Sequence, residues 1–259
     1  MGDAGMRLTG KAAIVTGAGR GIGRAIALAL AREGCAVTLA SRTRVELEAV
    51  ADEVVGLGAR ALPFTADVSA EAEAARLVEE TLRAFGRVDI LVNNAGISIP
   101  FRHVVDLPLA DWERILRVNL TGAFLCARAV LPVMIRQRSG KIVNLGSLSS
   151  FVGFAGNSAY SASKAGIVMF TKCLAAEVKA YGIDVNAVCP SGTDTRMLEE
   201  IGLKAGRTNL IRPKEIAALV LFLVTAEASA VTGTAIEAYG QSNPLFSGSH
   251  PSKAEDQTR

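Results

Sequence analysis

Three observations predict an α/β protein built on a single doubly wound, parallel, seven-stranded sheet. Short apolar runs alternate with longer segments of helical periodicity along nearly the whole chain. Those runs lack polar alternation, as strands covered on both faces do. No linker or internal repeat divides the 259 residues, a length that suits one large domain with a sizeable core.

Taken in order, the expected strands are KAAIVTG, CAVTLAS, RALPFTAD, VDILVNNAG, GKIVNLGS, IDVNAVCP and GTAIEAYG, each rich in Val, Ile, Leu or Ala. Between them GIGRAIALALARE, VELEAVADEVVGL, AEAARLVEETLRAF and the long LADWERILRVNLTGAFLCARAVLPVMIRQ carry helical periodicity, as does the segment around Tyr160. Such alternation implies parallel strands joined by crossover helices. The predicted domain is 1–240. From 241 to 259 the composition turns to Ser, Gly and Pro with little apolar content, so a polar C-terminal tail is expected.

Composition narrows the function classes. A hydrophobic content of 50% and a mean hydropathy of +0.32 favour a packed interior over disorder. A formal charge of +3 is too small to argue for nucleic acid, and Arg136, Arg138 and Lys141 read as a solvated helix end. The four cysteines, Cys35, Cys126, Cys173 and Cys189, form no C-x-x-C pair and sit in apolar runs, as buried free thiols of a reducing compartment do. His103 and His250 are the only histidines, so no metal site is expected. No membrane span and no signal peptide is expected, and a cytoplasmic location follows.

The first strand runs into TGAGRGIGRAIALAL. Gly17, Gly19, Gly21 and Gly23 form a turn where backbone can approach a ligand, and the following helix offers free N–H groups and a positive dipole end to a pyrophosphate. The G-x-G-x-x-G fingerprint itself fails, because its third Gly falls at Ile22. Further on, SAYSASKAG places Tyr160 and Lys164 four residues apart, on one face of a helix.

The spacing T-G-x-x-x-G-I-G resembles the short-chain dehydrogenase/reductase family. The resemblance extends through Asp67-Val68, the Asn93-Asn94-Ala95-Gly96 run, Asn119 in RVNLTGAF, Ser147 in NLGSLSS, and Tyr160 and Lys164 in YSASK, covering about residues 8 to 240. It implies a Rossmann-type fold and hydride transfer between a nicotinamide and a carbonyl or alcohol carbon. It also implies a catalytic set of Asn119, Ser147, Tyr160 and Lys164. In that set Tyr160 is the general acid and base, Ser147 positions the substrate oxygen, and Lys164 tunes the phenol and bonds the nicotinamide ribose. Asn119 holds a water beside the lysine. Free tyrosine titrates near pKa ~10, and a neighbouring ammonium is expected to favour the phenolate.

The expected cofactor contacts are Gly17, Gly19, Gly21 and Ile22 at the pyrophosphate, Asp67 and Val68 at the adenine, and Asn94, Gly96, Tyr160, Lys164, Thr193 and Thr195 towards the nicotinamide half. An acid at the end of the second strand would bind the ribose 2′-OH of NAD. Here Ser41 and Arg42 stand there, and the nearest acid downstream is Glu46. With Arg20 in the glycine turn, two guanidiniums suit a 2′-phosphate, so NADP(H) is expected over NAD(H).

The resemblance weakens after the sixth strand. Where the family shows Pro-Gly, this chain reads Pro190-Ser191-Gly192-Thr193-Asp194-Thr195, and a Cβ at Ser191 is expected to restrict the backbone. The segment RMLEEIGLKAGRTNLIRPKEIA takes the place of the substrate lid and looks short, with Gly202 and Gly206 as hinges. Phe101, Phe151, Phe154 and Met197 are candidates for the pocket wall, with core packing the alternative for each. The substrate is expected to be a small carbonyl or alcohol.

Two alternatives stand beside that reading. A 3-oxoacyl-acyl-carrier-protein reductase would need a basic docking patch. Such enzymes commonly carry Arg where Tyr181 precedes Gly182, which leaves Arg136 and Arg138 as candidates. A non-catalytic NADP-binding regulator would usually show a broken catalytic set. The family also implies a homo-tetramer, assembled through the helices that contain Ala123 to Met134 and Ala165 to Ala176.

Overall fold

A computed structural model describes residues 6–206 and 209–240. The expected tail and His250 lie outside the described residues. All seven expected strands form: β1 (Ala12–Thr16), β2 (Ala36–Ser41), β3 (Ala61–Thr65), β4 (Ile90–Asn93), β5 (Gly140–Leu145), β6 (Ile183–Pro190) and β7 (Ala235–Ala238). They make one parallel sheet in the order β3-β2-β1-β4-β5-β6-β7. The chain therefore reverses its direction of growth between β1 and β4, and the crevice beyond their carboxyl ends is where such sheets take ligands.

Burial follows position in the sheet. Every residue of β1 and β4 is buried, whereas the edge strand β3 exposes Pro63 and Thr65. Proline is tolerated there because an edge strand has one unpaired side. On one face of the sheet α1 (Gly21–Arg32) and α2 (Arg44–Gly56) contribute Ile26, Leu30, Leu47 and Val50 to one core layer. On the other, α3 (Glu71–Phe85), α5 (Gly122–Gln137) and α6 (Ser158–Val178) contribute Leu77, Val130, Met134 and Leu174.

Three details depart from the sequence expectations. The long helical segment divides into α4 (Leu109–Leu116), a π turn over Arg117–Thr121, and α5. This stretch is apolar enough by length and composition to suggest a membrane span, yet half of its most apolar window is buried inside the fold, as in a core helix. An unexpected helix, α8 (Pro213–Val224), begins inside the segment assigned to the lid, capped by the Glu215 side chain on the Arg212 amide at 2.8 Å. It packs Ile216, Val220 and Leu223 into the same layer as α1. Finally, Cys173 is exposed on α6; only Cys35, Cys126 and Cys189 are buried.

Candidate active site

β1 delivers the chain into the glycine turn with Gly17 and Gly21 in left-handed backbone, at φ of 63° and 56°. Gly23 lies in the first turn of α1, where an added Cβ would stand 2.2 Å from the Gly17 carbonyl oxygen and 2.5 Å from Asn94 Nδ2. No side chain caps α1 and no acid occupies its first turn. Its leading N–H groups and positive dipole end are thus left for an anion, which is the physical fit a dinucleotide's pyrophosphate requires. Ile22, partly buried, packs against the core behind them.

Thr16 joins this turn to β4. Its hydroxyl donates to the Val92 carbonyl at 3.3 Å and accepts from the amides of Asn94 and Ala95, both at 3.0 Å. Asn94, expected as a cofactor contact, donates its own amide to the carbonyls of Thr16 and Gly17 at 2.9 and 3.1 Å. It braces the glycine turn. Asp67 is tied into a local turn, accepting from the Ser69 hydroxyl at 2.7 Å and amide at 2.9 Å. These bonds outweigh burial and, with the positive charges of Arg42 and Arg117, hold its carboxyl below the usual aspartate value. Val68 is buried beneath Gly122, whose Cβ would stand 3.0 Å from Val68 Cγ2.

Ser41 closes β2, and Arg42 stands exposed beside it. Arg20 donates to Glu46 at 3.4 Å and lies 3.8 Å from Glu200. Glu46 crosses over the turn so closely that a Cβ on Gly19 would come 2.9 Å from its own Cβ.

Across the crevice, the π turn presents Asn119, which is only 2% exposed. Its Oδ1 accepts from the Ile97 amide at 2.8 Å, and its Nδ2 donates to the Ile97 carbonyl and the Ser163 hydroxyl, both at 3.0 Å. The backbone at Gly96 passes between this amide and Lys164: a Cβ there would lie 3.3 Å from Asn119 Oδ1 and 3.5 Å from Lys164 Nζ. Ser147 follows β5 and caps a short 3₁₀ turn, its hydroxyl accepting from the Ser149 amide at 3.1 Å. Ser150 fixes that turn to α6 by donating to the Lys164 carbonyl at 2.9 Å.

Tyr160 and Lys164 lie near the amino end of α6, with Lys164 Nζ 5.7 Å from the phenol ring centroid. Lys164 donates to the Leu145 carbonyl at 2.7 Å. Burial pushes its pKa down to about 8. Burial also raises the Tyr160 phenol above its ordinary value, against the opposing pull of a hydrogen bond with Ser147. Lys164 is buried while Tyr160 is only half-buried, and in the protein alone the direction of the phenol's shift follows desolvation, with the Ser147 hydrogen bond opposing it.

Ser191 does not adopt left-handed backbone, so its Cβ brings no strain of that kind. Ser191 instead extends the sheet, its amide donating to the Ala238 carbonyl at 3.1 Å. Thr193 is buried and donates to the Ser191 carbonyl at 3.0 Å, and Thr195 precedes the short α7 (Arg196–Glu200). A Cβ on Gly21 would come 3.3 Å from Thr195 Cγ2, which brings this segment onto the glycine turn. Gly202 and Gly206 adopt left-handed backbone, at φ of 75° and 73°. Arg136 and Arg138 lie at the amino end of β5, away from Ser147 at its other end.

Sequence reasoning gave Thr16, Ser150 and Ser163 no role as supports, although all three lie inside the quoted motifs; only the packing of β4, α6 and the π turn reveals which groups their hydroxyls meet.

Residues 11–206 match the short chain dehydrogenase family. The 3-oxoacyl-acyl-carrier-protein reductase of Thermotoga maritima is 38% identical over 239 residues, covering 89% of this chain and 97% of its own. Among solved structures, levodione reductase superposes with a TM-score of 0.85 at 34% identity, covering 89% of this chain and 96% of its own. A short-chain dehydrogenase/reductase from Mycobacterium marinum gives 0.87 at 34%, covering 93% and 98%.

Proposed function

The chain belongs to the short-chain dehydrogenase family, an oxidoreductase acting on alcohol or carbonyl groups, and from that premise we propose an NADP(H)-dependent carbonyl reductase whose proton donor is Tyr160. The observation that carries this reading is the convergence of Ser147, Tyr160, Lys164 and Asn119 beside an uncapped α1. The nicotinamide cofactor supplies the hydride. Gly17, Gly19, Gly21 and Ile22 would hold its pyrophosphate, Asp67 and Val68 its adenine, and Gly96, Thr193 and Thr195 its nicotinamide half. Arg20, Ser41 and Arg42 would take the 2′-phosphate.

A phenol is protonated at neutral pH even at its ordinary pKa of ~10, the state a proton donor needs, and desolvation of Tyr160 acts in the same direction. Ser147 orients the carbonyl oxygen towards that phenol. Lys164, whose pKa of about 8 leaves it mostly charged at neutrality, gives one N–H to Leu145 and keeps others for the ribose and for proton return. Both amide protons of Asn119 are taken up by Ile97 and Ser163. The side chain thus fixes the 97 segment, and the second lone pair of its Oδ1 is left to accept from a water beside Lys164.

Titration with NADPH and NADH by nicotinamide fluorescence tests the cofactor assignment. NADPH should bind at least about tenfold tighter, about 1.4 kcal/mol, and Arg42→Asp should reverse or erase that ratio. An unchanged ratio in the variant would remove the assignment. The identity to a carrier-protein reductase favours a second reading, in which the substrate is a 3-oxoacyl group. Tyr181, and the distance of Arg136 and Arg138 from the site mouth, weigh against carrier docking, and relative rates on carrier-bound and small ketones decide between the two. The intact catalytic set weighs against a regulator without turnover.

The outer faces of α5 and α6 leave Phe124 and Met169 exposed, with Phe124 edge-on to Phe170 at 6.3 Å. This supports assembly of four chains through these helices. Light scattering should report four times the chain mass, and a monomer would refute it. Buried thiols at Cys35, Cys126 and Cys189 support a reducing, cytoplasmic setting.

A further inference from the structure

Four charged side chains of alternating sign meet over the glycine turn, and they come from three separate elements. Arg20 belongs to the turn, Glu46 to the first turn of α2, and Arg196 and Glu200 to α7. Arg20 Nη1 lies 3.4 Å from Glu46 Oε1 and its Nη2 3.8 Å from Glu200 Oε1. Arg196 lies 3.9 Å from Glu46 and 2.9 Å from Glu200. The placement of Glu46 is unusual for its helix position. An acid three residues after the N-cap commonly reaches back to the N-cap amide. Glu46 instead crosses to the glycine turn, with Oε2 3.1 Å and Ser41 Oγ 3.4 Å from the point a Gly19 Cβ would occupy.

That point lies between the end of β2 and the glycine turn, the space in which the proposed function seats the 2′-phosphate. Glu46 thus occupies the vicinity of Arg20 with a charge of the same sign as the ligand. We infer that Glu46 is a specificity-determining residue: a resident counter-anion that a 2′-phosphate must displace from Arg20, and that limits the preference for NADP(H).

The energetics permit the exchange. Arg20 and Arg196 side chains are 48% and 62% exposed and Glu46 is 30% exposed, so these are screened surface pairs, individually weak. A dianionic phosphate accepting forked hydrogen bonds from a guanidinium competes well against one such carboxylate. After displacement Arg196 retains Glu200 within α7. Glu200 also stands 3.8 Å from Arg20 but is paired more closely with Arg196, at 2.9 Å, so the carboxylate lying against the glycine turn itself is that of Glu46. Removing that charge while keeping the side chain's shape should favour the phosphorylated cofactor alone.

This inference rests on the NADP(H) reading, and Glu46→Gln tests it. Affinities for NADPH and NADH are measured by fluorescence titration on wild type and variant at low and high salt, with thermal unfolding as a check on the fold. NADPH should bind about tenfold tighter in the variant at low salt, with the gain shrinking as salt screens the site, while NADH changes by less than about twofold. Unchanged or weaker NADPH binding would overturn the inference. Weakened NADH with NADPH unaffected would instead make Glu46 an acceptor for ribose hydroxyls, overturning both the inference and the cofactor assignment. If Arg42→Asp shifts the cofactor ratio and Glu46→Gln does not, the inference alone fails.

Discussion

Tyr160→Phe is expected to lower kcat by about a thousandfold or more while leaving NADPH affinity within about threefold of wild type. The change deletes one oxygen from a ring whose position is set by α6, so the cofactor's contacts with the glycine turn and Lys164 should persist. What disappears is the proton donor. Ser147 cannot replace it, because a serine hydroxyl is a far weaker acid and here also anchors the Ser149 amide at 3.1 Å. Single-turnover measurements under saturating NADPH separate the chemical step from binding. Residual turnover above about a tenth of wild type would remove Tyr160 from the assigned role. A parallel loss of NADPH binding would instead mean that the phenol holds the cofactor.

Gly23→Ala is expected to abolish measurable dinucleotide binding and to destabilise the fold by about 2 kcal/mol. A methyl at that position would stand 2.2 Å from the Gly17 carbonyl oxygen, which is backbone and cannot rotate away. The turn would have to open, breaking the Asn94 amide's bonds to Thr16 and Gly17 and shifting the N–H groups at the start of α1. Fluorescence titration reads the first effect and urea unfolding the second. Gly56→Ala is the matching control: Gly56 ends α2 with open space around it, so alanine should be neutral or stabilise by up to about 1 kcal/mol. Wild-type affinity in the Gly23 variant would refute the close approach on which the site rests.

Both expectations begin from residues that sequence spacing already singled out. The seven apolar runs all became strands; in the centre of the sheet, as at β1 and β4, a strand buried on both faces must be apolar throughout, and the chain writes that need directly. The family motifs placed Asn119, Ser147, Tyr160 and Lys164 in one reading, and the fold brings them together. Other features were not legible. The break at Arg117–Thr121 lies inside an unbroken helical periodicity, since a π turn inserts one residue without any Gly or Pro to mark it. α8 escaped notice because its apolar run has no clean helical stripe.

Sequence alone determined the fold class and the family, and it singled out the candidate reacting groups, because these depend on local pattern and on residue types at fixed separations. Tertiary structure decided what those groups experience. It buried Lys164 and half-buried Tyr160 at the end of β5, and it gave Asn94 to the glycine turn. It also brought Glu46 and α7 over Arg20, from positions 26 and about 180 residues away in the chain. Desolvation and long-range charge pairing depend on which distant segments the sheet brings side by side, and no spacing within one segment records that.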